Sequence, residues 1–268
     1  IEGDARDMPL FVRGNHKQPG DVVPRRFLEA FDAKPFKTHY SGRRELAEAM
    51  LRDNPLVARV IVNRVWHHLF GRGLVATPDN FGKLGRRPSH PELLDHLATQ
   101  FVKEGWSLKK LIRQLALSRT FQLSTVATPA AREADPENQL LARAHLRRLE
   151  AEAIRDAMLQ AGGALEHRPF GGSDDFNTNR RSLYVRVIRN NLDPFLTVFD
   201  QPVPASTVGR RDETNVPAQS LTMMNSPFVI TQATRLGQRV RDDAALKTPT
   251  EKITQLFQLT LSRPPTAG

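Results

Sequence analysis

The sequence predicts a mainly α-helical protein, a multi-helix orthogonal bundle with a minor β-hairpin. Three observations carry that expectation: prolines stand where helices begin, apolar residues recur at helical spacing, and β-branched runs are few. A proline at the first helical position has its φ preset and lacks only an amide hydrogen that would be unpaired there anyway. Asn54-Pro55, Asp135-Pro136, Asp193-Pro194, Ser226-Pro227 and Thr248-Pro249 all fit this rule, each with a residue able to cap the first turn.

In chain order, Pro9–Arg13 is a weak strand. Pro55–Phe70 follows as a helix whose apolar residues (Leu56, Val57, Val60, Ile61, Val65, Trp66, Leu69 and Phe70) run round its whole circumference, so it is expected to be buried on all sides, with Gly71 as its C-cap. Ser89 and Glu92 form a capping box ahead of Leu93, Leu94, Leu97, Ala98 and Phe101. Gly105 ends that helix, and Ser107 caps a second one carrying Leu108, Leu111, Ile112 and Leu115, which makes a tight helical hairpin. Trp106 is placed at its turn, where a large side chain closes the core.

Leu149–Leu159 reads as another helix, stopped by Gly162-Gly163. Residues 162–181 are Gly-rich and polar, the expected mobile connection. If the single domain 1–268 subdivides, it does so there, into a helical region (1–161) and a strand-plus-helix region (182–268). Ser182–Ile188 is the best strand, able to pair with the first. Thr248 and Glu251 form a second capping box before Ile253, Leu256, Phe257 and Leu261.

Composition excludes several chemistries. With no Cys among 268 residues there is no thiol nucleophile, disulfide, Cys-ligated zinc or covalently anchored haem. No apolar run reaches the length of a membrane span, and no signal peptide opens the sequence. The absence of an initiator Met and the ending just after a helix suggest a segment of a longer protein. GxSxG, GxGxxG, Walker and HExxH patterns are absent, so no hydrolase, nucleotide or metal assignment follows.

Polar groups on the apolar helix are the first candidates for function. Asn63 and His67 share one stripe, Arg64 and His68 the next, and a buried unpaired polar group costs roughly 1–3 kcal/mol. Partners are expected from Asp79, Glu150, Glu152, Asp156 and Asp200, mainly in the second half of the chain. Either these groups form a structural network or His67 or His68 is a general base or, less favoured for adjacent histidines that point to different sides of a helix, a metal ligand. A second set is Arg180, Arg181, Arg186, Arg189, Arg210 and Arg211, whose planar guanidinium groups would grip a carboxylate, sulfate or phosphate if they converge. The alternative is that Arg181 and Arg211 brace loops through Asp200, Asp212 or Glu213. The net charge of +10, from 39 basic and 29 acidic residues, raises nucleic-acid binding through Lys109, Lys110 and Arg113. Those charges are interleaved with acids and lack aromatic partners, which argues against it.

Five stretches, 54–82, 89–124, 147–159, 180–190 and 216–229, together resemble the planctomycete-specific PSD domain, a family of uncharacterised function. One departure is the loop 206–211, where relatives often have a Cys and this chain has none. The resemblance implies a place after a cytochrome-c-like module in a large exported protein, hence a periplasm-like compartment and a c-type haem on a neighbouring domain; the missing Cys and His patterns lead to the expectation of no cofactor or metal within this chain. It implies no catalytic residues. A noncovalent haem contact from His67, His68, Met223 or Met224 is disfavoured, since the methionines fit helix-core spacing.

Three readings stay open. The first is an accessory domain that docks on its cytochrome-c-like neighbours and contributes to carbohydrate-linked oxidation or electron transfer. The second is an enzyme acting on an anionic polysaccharide through Asn63, Arg64, His67, Asp200 and Arg211, and the third a basic helical hairpin that binds nucleic acid.

Overall fold

The structure, a computed structural model, describes residues 5–31, 34–52 and 54–266. The chain folds as two compact units, Ile1–Leu146 and Arg147–Gly268. It is mainly α-helical with one small antiparallel sheet, as the sequence predicts.

In the first unit, β1 (Met8–Phe11) pairs with β2 (Pro19–Val23), Met8 opposite Val23 and Pro9 opposite Val22. The first strand overlaps the expected Pro9–Arg13 but ends at Phe11, where Val12–Gly14 forms a 3-10 turn, and its partner lies eight residues on and not at Ser182–Ile188. Five helices follow: α1 (Arg43–Leu51), α2 (Pro55–Phe70), α3 (Pro91–Lys103), α4 (Leu108–Ala116) and α5 (Pro129–Ala134). Asn54, Ser107 and Thr128 accept first-turn amides of α2, α4 and α5 through their side chains.

The core of this unit lies where α2 packs on α3 and α4. Ala58, Val62, Trp66 and Phe70 of α2 meet Leu94, Leu97 and Phe101 of α3 and Leu111 and Leu115 of α4. A fully buried side chain of this kind contributes roughly 1.5–3 kcal/mol. Trp66 stacks on Phe70, with centroids 4.0 Å apart.

Several local expectations need correction. Helix α2 is not sheathed on all sides: Ile61, Val65 and Leu69 are half-buried at the rim, and Arg64 and His68 are exposed, because α3 and α4 cover only one flank. Trp106 meets Phe101 edge-on at 5.3 Å yet keeps 41% of its surface exposed. Helix α3 starts one residue later than a Ser89 cap requires, with His90 at the N-cap, and the Ser89 hydroxyl donates instead to the Leu74 carbonyl (3.3 Å). No helix starts at Asp135-Pro136. There the Asp135 carboxylate accepts the amides of Gln139 (2.8 Å) and Leu140 (2.6 Å), and Asn138 and Leu141 adopt left-handed backbone, which turns the chain instead.

The second unit contains α6 (Ala151–Ala161), α7 (Pro194–Val198), α8 (Pro217–Asn225), α9 (Pro227–Arg241) and α10 (Pro249–Leu261). Asp193 caps α7 by accepting from Phe195 and Leu196, and the Thr248–Glu251 capping box is complete. Phe176, Phe195, Phe199 and Phe228 pack together against Ala151 and Leu196.

Residues 162–181, expected as a connection, run inside this unit and are fastened by two buried arginines. Arg155 donates to the carbonyls of Phe176, Thr178 and Arg180 and to the Ser182 hydroxyl, while its guanidinium lies 4.8 Å from the centre of the Phe176 ring. Arg180 donates to the carbonyls of Arg168, Phe170 and Gly172 and to Asp174 (2.8 Å), and stacks on Tyr184. Ser182–Ile188 is consequently not a strand. Its start is a 3-10 turn because Asp156 takes both the amide and the hydroxyl of Ser182 at 2.7 Å, and only single bridges, such as Asp174 with Val185, remain.

Candidate functional site

Helix α2 ends at Gly71 in left-handed backbone, and the chain then doubles back beneath its own last turn. Asn63, fully buried, holds this return: its Nδ2 donates to the Val75 carbonyl (3.0 Å) and its Oδ1 accepts the Val75 amide (2.8 Å). Gly73 lies so close that a Cβ would stand 2.5 Å from the Val75 oxygen and 2.9 Å from the Asn63 amide, so no larger residue fits. Further on, Thr77 Oγ1 donates to the Asn80 carbonyl (2.8 Å) and accepts the Arg86 amide (3.0 Å). The Ser89 amide returns to the Leu74 carbonyl (2.8 Å). The backbone carrying Arg86 and Arg87 is thus pinned at both ends.

The opposite wall is the loop after α5. Asn138, buried with φ +53°, bridges the backbone of Arg143, donating to its carbonyl at 2.7 Å and accepting its amide at 3.2 Å. The Arg143 guanidinium donates in turn to the carbonyls of Asp135 and Pro136. Glu137 reaches Arg72 at 3.4 Å.

Between these walls is a cleft of about 790 Å³, lined among others by Arg72, Arg86, Arg87, Ser89, Glu137 and His145. A second hollow of about 520 Å³ shares Glu137, Asn138 and His145. Among the described residues, Arg86 and Arg87 have no carboxylate partner. Burial holds the His145 imidazole below its usual protonation range, and the charges of Arg72 and Arg143 push the same way against the weaker pull of Asp135. The cleft therefore presents guanidinium forks beside a histidine disposed to be neutral, a set of donors suited to an oxyanion.

The residues nominated from the sequence lie elsewhere and are divided between the units. In the first, both heteroatoms of the Asn63 amide are engaged by Val75, His67 is half-buried with its ring 5.4 Å from that of His68, and Arg64 is exposed. Asn63's partner is thus a backbone twelve residues away, not a carboxylate of the second half. In the second unit, Asp200 accepts Arg148 (2.7 Å) and both the amide and hydroxyl of Thr214 (2.8 Å each). Arg211 pairs with Glu152 (2.6 Å) and Glu150 (3.6 Å), Arg181 meets Asp156 at 3.5 Å, and Arg210 is exposed. None of these acids is the one proposed to brace Arg181 or Arg211 from the sequence. Lys109, Lys110 and Arg113 are exposed on α4, interspersed with exposed Leu108 and Ile112. Among the described residues no cluster of His, Asp and Glu has metal-site geometry, and no helix is long and apolar enough to cross a membrane.

The cleft residues Arg72, Arg86, Arg87 and His145 were not singled out by sequence. The available signal was the Arg86-Arg87 pair between Gly85 and Pro88, a short basic turn with no acid near it.

Fold and cleft together define a mainly α-helical, two-unit protein with an arginine-lined hollow in its first unit. Residues 42–268 match PSD1, described as a protein of unknown function (DUF1553), and the chain belongs to that family. No curated protein and no solved structure matches it.

Proposed function

We propose that this protein is an accessory domain that holds the anionic groups of an acidic or sulfated saccharide, within a larger exported, cytochrome-c-associated protein. The observation that carries the reading is the Arg86-Arg87 pair, which sits on a pinned backbone in a cleft shared with Arg72 and lacks an acidic partner among the described residues. Arginines that brace this fold look different: Arg148, Arg180 and Arg211 are each neutralised by a carboxylate. Solvent-reachable guanidinium groups without an acidic partner, set in a concave surface, favour bidentate capture of sulfate or carboxylate. In this reading electron transfer belongs to a c-type haem on a neighbouring domain in a periplasm-like compartment, and the chain supplies saccharide binding and a docking surface.

Calorimetric titration with a sulfated galactose oligosaccharide, an oligogalacturonate and a neutral galactose oligomer tests it. The anionic ligands should bind and the neutral one should not, and Arg86→Gln/Arg87→Gln should weaken binding by about tenfold or more. Equal binding of the neutral oligomer, or indifference to the double substitution, overturns the reading.

A further inference from the structure

One group lining the cleft is titratable, and the neighbour it faces favours one of its protonation states. The Asn138 amide has a fixed orientation, because its Nδ2 donates to the Arg143 carbonyl while its Oδ1 accepts the Arg143 amide; the reverse would set donor against donor. The same Nδ2 stands 3.4 Å from His145 Nε2. Because an amide N–H can only donate, this contact is satisfied by the tautomer with the lone pair on Nε2 and the proton on Nδ1, the neutral form that burial also favours.

The charges round His145 come from several elements. Arg72 follows α2, Asp135, Glu137 and Arg143 share its own loop, Arg86 and Arg87 line the opposite wall of the cleft, and Arg132 of α5 lines the second hollow. Burial first, then the charges of Arg72 and Arg143 against the opposing Asp135, favour the uncharged ring while the cleft holds no anion.

We propose that His145 takes up a proton when an anionic group enters this cleft, so that saccharide binding and protonation are coupled. The inference rests on the anion-binding reading above. An anion placed among Arg72, Arg86 and Arg87 reverses the local field and stabilises the imidazolium, which in turn adds one more positive charge facing the ligand. The proton is drawn from solvent, and the Asn138 contact gives way because both ring nitrogens then carry hydrogens. Linkage sets the sign. Affinity rises as pH falls through the anion-bound protonation range of His145 and levels off once the ring is charged in the free protein too, with about tenfold in affinity for each unit by which the anion lifts that range.

The test is calorimetry of the full chain with the sulfated galactose oligosaccharide in two buffers of different ionisation enthalpy, at several values between about pH 5 and about pH 8. The difference in heat gives the number of protons taken up. The same titration is followed by the imidazole C–H resonances of the unsubstituted protein, which need no variant. The expected result is uptake approaching one proton with a His145 shift on saturation, and an affinity in His145→Gln that no longer changes with pH. Binding without uptake, or uptake that persists in His145→Gln, overturns the coupling and leaves the anion-binding reading standing. Absence of any binding overturns that reading and the coupling with it.

Discussion

Asn63 and Val75 exchange two hydrogen bonds at the heart of the first unit, the side-chain amide of one completing both backbone groups of the other. The pair ties the last turns of α2 to the loop that carries Arg86 and Arg87. Replacing Asn63 by Ala leaves a buried amide and a buried carbonyl unpaired, which should destabilise the unit by about 2–4 kcal/mol. Equilibrium unfolding in urea measures this. A variant that keeps wild-type stability would show that the loop finds other partners.

Arg155 is the comparable device in the second unit, its guanidinium donating to three main-chain carbonyls and to the Ser182 hydroxyl. Arg155→Met keeps much of the packing against Phe176 and Phe228 and strands the carbonyls of Phe176, Thr178 and Arg180. The expected loss is about 3–5 kcal/mol, with new protease cleavage within residues 162–181. Unaltered cleavage kinetics and midpoint would count against the role assigned to this guanidinium.

Acid should loosen the contact between Arg148 and Asp200. Burial pushes the Asp200 carboxyl up, yet the Thr214 amide and hydroxyl and the Arg148 guanidinium outweigh it and hold the group below the usual carboxylate value of 3.8. A depressed folded value means the stabilisation is present above the unfolded value and is lost as pH falls through the folded one. Asp200→Asn, which tolerates the left-handed backbone found there, should melt lower than the wild type at neutral pH. As pH falls through that depressed value the two melting curves should converge. Curves that stay equally separated throughout would contradict this.

Thr248 offers a smaller, local test. Its hydroxyl accepts the Glu251 amide (3.2 Å) and the Glu251 carboxylate accepts the Thr248 amide (2.8 Å). Thr248→Ala should cost about 1 kcal/mol through loss of the cap. Hydrogen exchange should show fraying confined to the first turn of α10.

Helix boundaries were legible in the sequence because they depend on neighbours within a few residues. Asn54, Asp193 and Thr248 cap the helices that their prolines announce. Asp135 has the same signature, but its carboxylate serves a turn that Asn138 and Leu141 make possible, and no short window distinguishes the two outcomes. Ser182–Ile188 has strand-forming residues and yields to Asp156 and Arg155, which lie some twenty-five residues upstream.

The cleft was less legible still. Whether an arginine is braced or free depends on acids far away in the sequence: Arg148 finds Asp200 across 52 residues and Arg211 finds Glu152 across 59. Among 39 basic residues, composition cannot say which are left over. His145 gave no signal, since its character comes from Arg72 and from an Asn138 amide whose orientation is set by folding.

Arg155 and Arg180 clasp the stretch from Arg168 to Ser182 mostly by its peptide oxygens. Such a grip registers where the strand of atoms passes and is largely indifferent to which side groups it bears. Exposed positions along that stretch should therefore tolerate substitution while its route through the molecule is preserved, provided the two guanidinium anchors, their counter-ions Asp156 and Asp174 and the Phe176 ring against Arg155 are retained.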